Sequence, residues 1–168
     1  MPADLKKRKW LRWVRDILLI VLAIGAVQWW QKRDLVAGAA PPLAGQLLDG
    51  GWVDLQEYRG NPVLVHFWAS WCPICRAEEG SIDSIAQDLP VLTVATGSGS
   101  EADIRSYLND NRLAFPVLLD DTGKLARQWG IVGVPTSFVI DPKGQIAFAT
   151  VGYTTEIGLR LRLWLAAD

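Results

Sequence analysis

The sequence is poor in cysteine, histidine and methionine. Its 168 residues include two cysteines, one histidine and one methionine, Met1. A structural zinc site needs four ligands, which two cysteines and one histidine do not supply. The absence of methionine after Met1 suits an oxidising compartment. The chemistry of this chain therefore depends on one pair of thiols.

Positive charge is scarce outside the first 33 residues. Residues 34–168 carry nine basic and sixteen acidic side chains, a net charge of −7. Such a balance argues against nucleic-acid binding. Residues 1–33 carry eight basic and two acidic side chains, a net charge of +6. The two parts of the chain are therefore suited to different surroundings.

The basic N-terminal part also contains an apolar run, residues 17–27, with tryptophans on both sides of it. Tryptophans in these positions are typical of membrane–water interfaces. As a helix, residues 13–30 would span about 27 Å at ~1.5 Å per residue, close to the ~30 Å of a bilayer core. We therefore expect residues 1–33 to contain a single-pass inner-membrane anchor. Because basic residues stay in the cytoplasm, residues 34–168 are expected in the periplasm.

A cleaved signal peptide is the alternative to an anchor. Cleavage requires small residues shortly after the apolar run. The triplet Ala37-Gly38-Ala39 has the right composition but lies ten residues downstream of the run. This distance favours an uncleaved segment.

Both cysteines lie in Cys72-Pro73-Ile74-Cys75, where the strand pattern of residues 63–68 ends and a helical pattern begins. A thiol at a helix N-terminus faces free N–H groups and the positive end of the helix dipole, which favour its thiolate. We therefore expect Cys72 to be the exposed, reactive thiol. Cys75, one turn later, is expected to be buried and to attack any mixed disulfide that Cys72 forms.

A cysteine pair can also form a structural disulfide, serve a peroxidase or bind a metal. A structural disulfide would close too short a loop to remove much entropy from the unfolded chain. A peroxidase of similar fold would need a Thr or Ser–Cys peroxide-activating motif, and none surrounds Cys72. A Cu(I) site made by the two thiolates is chemically sound and stays open as an alternative.

The remainder of the chain alternates strand and helix patterns. Residues 34–46 are predicted to be a linker and residues 47–55 a hairpin that turns at Asp49-Gly50. Strands then alternate with helices up to Trp129, and a further hairpin and a helix follow. Right-handed crossovers between parallel strands, combined with an antiparallel hairpin, give a mixed sheet. The sequence therefore predicts an α/β domain over residues 47–168, with a central mixed sheet flanked by helices.

Three motifs resemble those of thioredoxin-fold proteins and occur in the same order: Phe67 to Cys75, Trp129 to Thr136 and Phe138 to Gly144. Together with the anchor, they are similar to the membrane-tethered periplasmic branch related to cytochrome-maturation thioredoxins. Within that branch, the chain is most similar to the suppressor-of-copper-sensitivity disulfide oxidoreductases.

The resemblance implies a thioredoxin-like fold and an extracytoplasmic thiol–disulfide oxidoreductase without a cofactor. It implies protein thiols or disulfides as substrates and a membrane electron donor or acceptor as partner. The direction of exchange stays open, with reduction slightly favoured. A copper-binding module that uses the same two thiolates in metal tolerance is the alternative function.

The resemblance also implies roles for individual residues. Cys72 matches the nucleophile and Cys75 the resolving thiol. Pro135 matches the family's cis-proline, and Val134 before it presents its backbone to an extended substrate. Trp71, beside the nucleophile, is expected at the substrate-binding rim.

Two further residues are candidates for tuning the protonation of the thiols. Glu78 lies where the cytochrome-maturation branch has a semi-buried glutamate, although a carboxylate early in a helix is also an ordinary partner of the dipole. His66 lies where thioredoxins proper have a buried aspartate, on the same strand face as Trp68. A single histidine in a strand is more often a satisfied core residue. Thr96 replaces a lysine of those thioredoxins, so their proton relay does not carry over.

Overall fold

The computed structural model describes Trp10, Trp13, residues 15–19, Leu22 and residues 36–167. The chain divides into two units, Met1–Arg33 and Asp34–Asp168. In the first unit, residues 15–19 are helical. Most of the predicted anchor lies outside the described residues, among which no helix is both long and apolar enough to cross a membrane.

The second unit is built on a five-stranded sheet in the order β5-β4-β3-β6-β7. These strands are β3 (Val63–Trp68), β4 (Val91–Thr96), β5 (Val117–Asp120), β6 (Thr136–Ile140) and β7 (Ile146–Val151). Strand β3 pairs in parallel with β4, and β4 pairs in parallel with β5. Strand β6 is antiparallel to both β3 and β7. The predicted mixed sheet is therefore confirmed.

Helices cover both faces of this sheet. They are α1 (Pro73–Ala86), α2 (Glu101–Asn111), α3 (Lys124–Gln128) and α4 (Glu156–Leu165). Ser100 caps α2 in a reciprocal capping box with Asp103, and Thr155 caps α4 by accepting the Gly158 N–H. Side chains of α1, α2 and α4 pack on one face of the sheet and those of α3 on the other. The predicted flanking helices are confirmed.

Strand β3 is the central strand, and all six of its residues are buried. Leu64 and Trp68 pack in the core beneath α1 and α4, while Phe67 points to the opposite face. There the ring of Phe67 lies 5.6 Å from that of Trp129 and 6.2 Å from that of Phe138. Because β3 has strands on both edges and helices on both faces, it holds the start of the loop that follows it in a fixed position.

The segment 34–46, predicted to be a linker, is part of the fold from Gly38 onward. The Ile146 N–H donates to the Gly38 carbonyl at 2.8 Å, so this segment extends the edge of the sheet. The side chain of Leu43 is fully buried, and the Leu55 N–H donates to its carbonyl at 2.8 Å. The prediction was wrong because the prolines before Leu43 suggested a loop, whereas the leucine itself belongs to the core.

The small hairpin also begins earlier than predicted. Strand β1 (Ala44–Gln46) pairs antiparallel with β2 (Trp52–Asp54). The turn includes the predicted Asp49-Gly50, where Gly50 has a φ of 93° that favours glycine. The turn chemistry was therefore correct, and only the first strand is displaced toward the N-terminus. A short 3-10 helix, Leu55–Tyr58, follows the hairpin.

Candidate active site

Cys72 lies where the loop after β3 meets the N-terminus of α1. It is the N-cap residue of this helix, and Pro73 occupies the first turn, where the missing N–H costs nothing. The Cys72 Sγ accepts a hydrogen bond from the Cys75 N–H at 3.3 Å and donates one to the Val134 carbonyl at 3.6 Å. Both cysteines are free thiols. The N–H group and the helix dipole are thus placed to stabilise negative charge on this sulfur.

Both cysteines are buried, with 4% of Cys72 and 3% of Cys75 exposed. The expectation that Cys72 is the exposed member of the pair is therefore wrong. The cause is a contact that is distant in sequence, because the loop before β6 lies against the Cys72 sulfur through the Val134 carbonyl. The neighbours of Cys72 are exposed instead, Trp71 by 63% and Ile74 by 50%.

The loop before β6 forms the other wall of the site. Its Val134–Pro135 peptide is cis, as the resemblance implies. The Thr136 hydroxyl donates to the Gly133 carbonyl at 2.7 Å and holds the loop in place. Val132, on the same loop, is 58% exposed. The buried sulfur therefore has exposed apolar side chains on the helix side and on the loop side.

A second loop, after β4, fixes the position of Trp71. The Trp71 indole N–H donates to the Gly97 carbonyl at 2.9 Å, and the Ser70 N–H donates to the Ser98 hydroxyl at 3.1 Å. The Arg76 guanidinium donates to the Ser70 carbonyl at 3.0 Å. Sequence reasoning missed this loop as part of the site. The signal was available, since the carboxyl ends of the neighbouring parallel strands β3 and β4 lie at the same edge of the sheet.

Glu78 is fully buried on α1, and neither of its carboxylate oxygens has a hydrogen-bond partner within the described part of the chain. Burial raises the pKa of Glu78 to about 7, and the backbone N–H of Thr154, which is near the carboxyl but outside hydrogen-bond geometry, opposes this shift. Burial and the adjacent Cys72 thiol raise the pKa of Cys75 to about 12, and the charge on Glu78 contributes to this shift. Cys75 is therefore protonated near neutral pH, whereas the Glu78 carboxyl changes protonation there.

His66 lies on β3 beneath the site and is 2% exposed. Its Nδ1 is 2.9 Å from the Ser137 hydroxyl oxygen. Burial lowers the pKa of His66 to about 3, so the imidazole is neutral between pH 5 and 8. It lines the same small interior void as Cys75. A role for His66 in tuning the protonation of the thiols stays a prediction. In such a role, the imidazole would act as a neutral group and not as a positive charge.

Metal-binding clusters are absent from residues 36–167 and from the few described residues before them. No group of three or more His, Cys, Asp or Glu side chains is arranged there to hold a metal ion. A Cu(I) site formed by Cys72 and Cys75 alone needs only two ligands. The geometry therefore leaves the two-thiolate alternative to experiment.

Thioredoxin-like and thiol:disulfide interchange proteins match most of the chain. It is 32% identical to a thioredoxin-like protein of Haemophilus influenzae over 96% of this chain and 98% of that protein. It is 35% identical to a thiol:disulfide interchange protein DsbE homolog of Paracoccus denitrificans, covering 78% of each. The crystal structure of an exposed lipoprotein thioredoxin of Streptococcus pneumoniae matches with a TM-score of 0.66 and 32% identity. That match covers 74% of this chain and 98% of the other, which confirms the thioredoxin-like fold.

The family itself is identified by a match that begins at residue 36 and ends within β7. The model of the AhpC/TSA family matches residues 36–149, and so covers both cysteines and the loop that contacts Cys72. Since this match spans more than half of the 168 residues, the chain belongs to the AhpC/TSA family.

Proposed function

We propose that this chain is a protein thiol–disulfide oxidoreductase that works outside the cytoplasm and acts on protein disulfides through Cys72 and Cys75. One observation carries the proposal. The Cys72 sulfur caps α1, accepts the Cys75 N–H, and lies against the Val134 carbonyl of a cis-proline loop. A sulfur in this position is activated by the helix and faces a backbone that can hold a substrate strand.

The reaction that fits this geometry has two exchange steps. The Cys72 thiolate attacks one sulfur of a substrate disulfide, forms a mixed disulfide and releases the other substrate sulfur as a thiolate. The Cys75 thiolate then attacks the Cys72 sulfur and releases the second substrate thiolate. The substrate gains two electrons and becomes a dithiol, while Cys72 and Cys75 become a disulfide. A membrane dithiol donor would return the pair to the reduced state, and the reverse sequence would oxidise a substrate.

Glu78 supplies the proton transfer that the second step requires. Cys75 has a pKa raised to about 12, so its thiol is a poor nucleophile until a base removes the proton. Burial raises the pKa of Glu78 to about 7, so that this carboxyl can accept a proton and return it near neutral pH. This role rests on the burial of Glu78 and on its electrostatic effect on Cys75.

The rim around the thiols suits an extended, apolar segment of a protein substrate. Trp71, Ile74 and Val132 are all at least half exposed. The Val134 carbonyl is the backbone group beside the nucleophile, where an extended substrate could add as a strand. Because Trp71 is held by the Gly97 carbonyl, it offers a preorganised apolar surface.

The proposed location is the periplasmic side of the inner membrane, with residues 13–30 as an uncleaved anchor. The fold supports the uncleaved form. Cleavage after Ala39 would remove the Gly38 carbonyl that accepts the Ile146 N–H, and the bridge between Ala39 and Gln145. We expect N-terminal sequencing of the mature protein to find a start upstream of the apolar run. A mature start near Ala40 would contradict the anchor and mean a domain free of the membrane.

Within the family, we assign the chain to the branch that its sequence motifs resemble, the suppressor-of-copper-sensitivity disulfide oxidoreductases. Copper binding by the same two thiols is the competing function. We expect the purified chain to catalyse disulfide reduction in insulin, with a thiol donor, at the same rate when a strong Cu(I) chelator is present. A tight complex of one copper ion per chain, lost with either cysteine and accompanied by no exchange activity, would contradict the proposal. Thiol alkylation in cells decides the direction, because a mainly reduced pair indicates a reductase.

A further inference from the structure

The outward face of α4 consists only of apolar side chains. The exposed residues of this helix are Ile157, Leu161, Trp164 and Leu165, which are 81%, 53%, 70% and 49% exposed. Their spacing of four, three and one places them along a single stripe of the helix. The opposite face, with Leu159 and Leu163, is buried in the core. The helix therefore has apolar side chains on two opposite faces, and only one of these faces is covered within the described part of the chain.

The charged side chains of α4 do not cover this stripe because they are held along its edges. The Arg160 guanidinium pairs with Asp88 at 2.9 Å and with Glu156 at 2.8 Å. Glu156 also accepts the Ser84 hydroxyl at 2.8 Å, which ties the helix to α1. The Arg162 guanidinium donates to the Gly158 carbonyl of its own helix at 2.8 Å. The stripe therefore stays open to whatever lies outside the domain.

The size of the stripe argues against a second protein surface as its occupant. Four side chains on a ten-residue helix present on the order of several hundred Å². A stable protein interface buries about 800 Å² on each partner, so this stripe is too small to hold a dimer by itself. A bilayer needs no complementary surface of fixed size, because apolar side chains enter its interfacial region to a depth of roughly 5–10 Å.

The chemistry of the stripe and its edges fits a phospholipid interface. Trp164 is the residue type that favours the boundary between headgroups and acyl chains. Arg160, paired with Asp88 and Glu156, and Arg162, bonded to the Gly158 carbonyl, lie on either side of the stripe and leave its centre apolar. We propose that α4 lies on the phospholipid membrane with Ile157, Leu161, Trp164 and Leu165 inserted, so that the domain has a second, reversible membrane contact. This inference rests on the membrane location proposed above.

The test places a photoreactive probe in the stripe of the full chain. p-Benzoylphenylalanine replaces Leu161, and the purified chain is reconstituted into vesicles of phosphatidylethanolamine with a minor share of phosphatidylglycerol. In the matched control, the same probe replaces Asn109, an exposed residue of α2. After flotation and irradiation, mass spectrometry identifies the adducts. We expect phospholipid adducts at position 161 and none at position 109.

A second variant measures how much the stripe contributes. Trp164→Gln, in the chain with the probe at position 161, should lower the yield of lipid adducts about tenfold or more, because the variant lacks the tryptophan that inserts into the membrane. Its exchange activity on a soluble disulfide should not change, which shows that the variant folds.

Three results of the labelling experiment overturn the inference. Cross-linked dimers would assign the stripe to a second copy of the chain, and floated chains without lipid adducts would show that α4 does not touch the bilayer. In both cases, the membrane location stands. Chains that do not float overturn the location and the α4 contact together. Loss of insulin reduction with intact lipid adducts would contradict the proposed activity alone.

Discussion

Replacing Cys75 by Ser is expected to stop turnover and to accumulate covalent adducts with protein substrates. Cys72 keeps its helix cap and its contact with the Val134 carbonyl, so the first attack proceeds. Without the second thiol, the mixed disulfide cannot be resolved within the protein. We expect turnover to fall by about a thousandfold or more. Non-reducing gels of cells that express Cys75→Ser should show bands of high mass that a thiol reductant removes.

Cys72→Ser is the matched control for this experiment. It leaves one thiol, Cys75, whose pKa is raised to about 12 and which is 3% exposed. This variant should be as inactive as Cys75→Ser but should form no adducts. If the two variants give the same adducts, Cys72 is not the nucleophile. If neither gives adducts at good expression, exchange through a mixed disulfide is the wrong mechanism.

Glu78→Gln is expected to slow disulfide exchange about a hundredfold, the usual contribution of a positioned proton acceptor. In the unaltered protein, the rate of the second step should rise with pH through about 7, where Glu78 becomes ionised. The amide does not ionise, so the variant should lose this inflection. Stopped-flow measurement of mixed-disulfide resolution between pH 5 and 9 tests both expectations. A full-sized inflection near pH 7 in Glu78→Gln would contradict the role.

His66→Gln is the control that assigns the inflection. Burial holds the pKa of His66 at about 3, so this imidazole does not titrate in the measured range. The inflection near pH 7 should therefore persist in His66→Gln.

The same carboxyl should affect stability in the opposite sense to activity. Burial raises the pKa of Glu78 from 4.5 to about 7, so its ionised form is disfavoured in the folded state. The contribution of Glu78 to stability is full below pH 4.5 and is lost as pH rises to about 7, by up to about 3 kcal/mol. Urea unfolding at pH 5 and pH 8 should show this loss in the unaltered protein and not in Glu78→Gln. An equal loss in both proteins would mean that Glu78 is ionised at pH 5.

The parts of the site that depend on neighbouring residues could be predicted from the sequence. A buried strand followed by Cys72-Pro73 at a helix start identifies the cap, because strand pattern, proline and thiol lie within about ten residues. The burial of Cys72 could not be predicted in this way. It depends on Val134, which is 62 residues away in the chain, and no local pattern records how closely that loop approaches.

The same distinction accounts for two further differences. The turn at Asp49-Gly50 is encoded by its own residues, whereas the start of the domain depends on Leu43 finding a place in a core formed by distant elements. The loop that holds Trp71 contains small residues, none of which indicates by its type that it belongs to the site. Its role follows only from the pairing of β3 with β4, which places Gly97 beside Trp71. Features that depend on neighbouring residues, such as helix caps and turns, can therefore be predicted from the sequence, whereas contacts between residues far apart in the chain cannot.

The central position of β3 has a mechanical consequence. A substrate joined to Cys72 transmits any pull from its own unfolding or translocation to the strand that ends four residues earlier, at Trp68. That strand is paired over five residues with β4 on one edge and over five with β6 on the other. The load is thus divided between two rows of hydrogen bonds that must shear together. An adduct on an edge strand would load a single row of hydrogen bonds, whereas here the covalent link follows a strand that is paired on both edges.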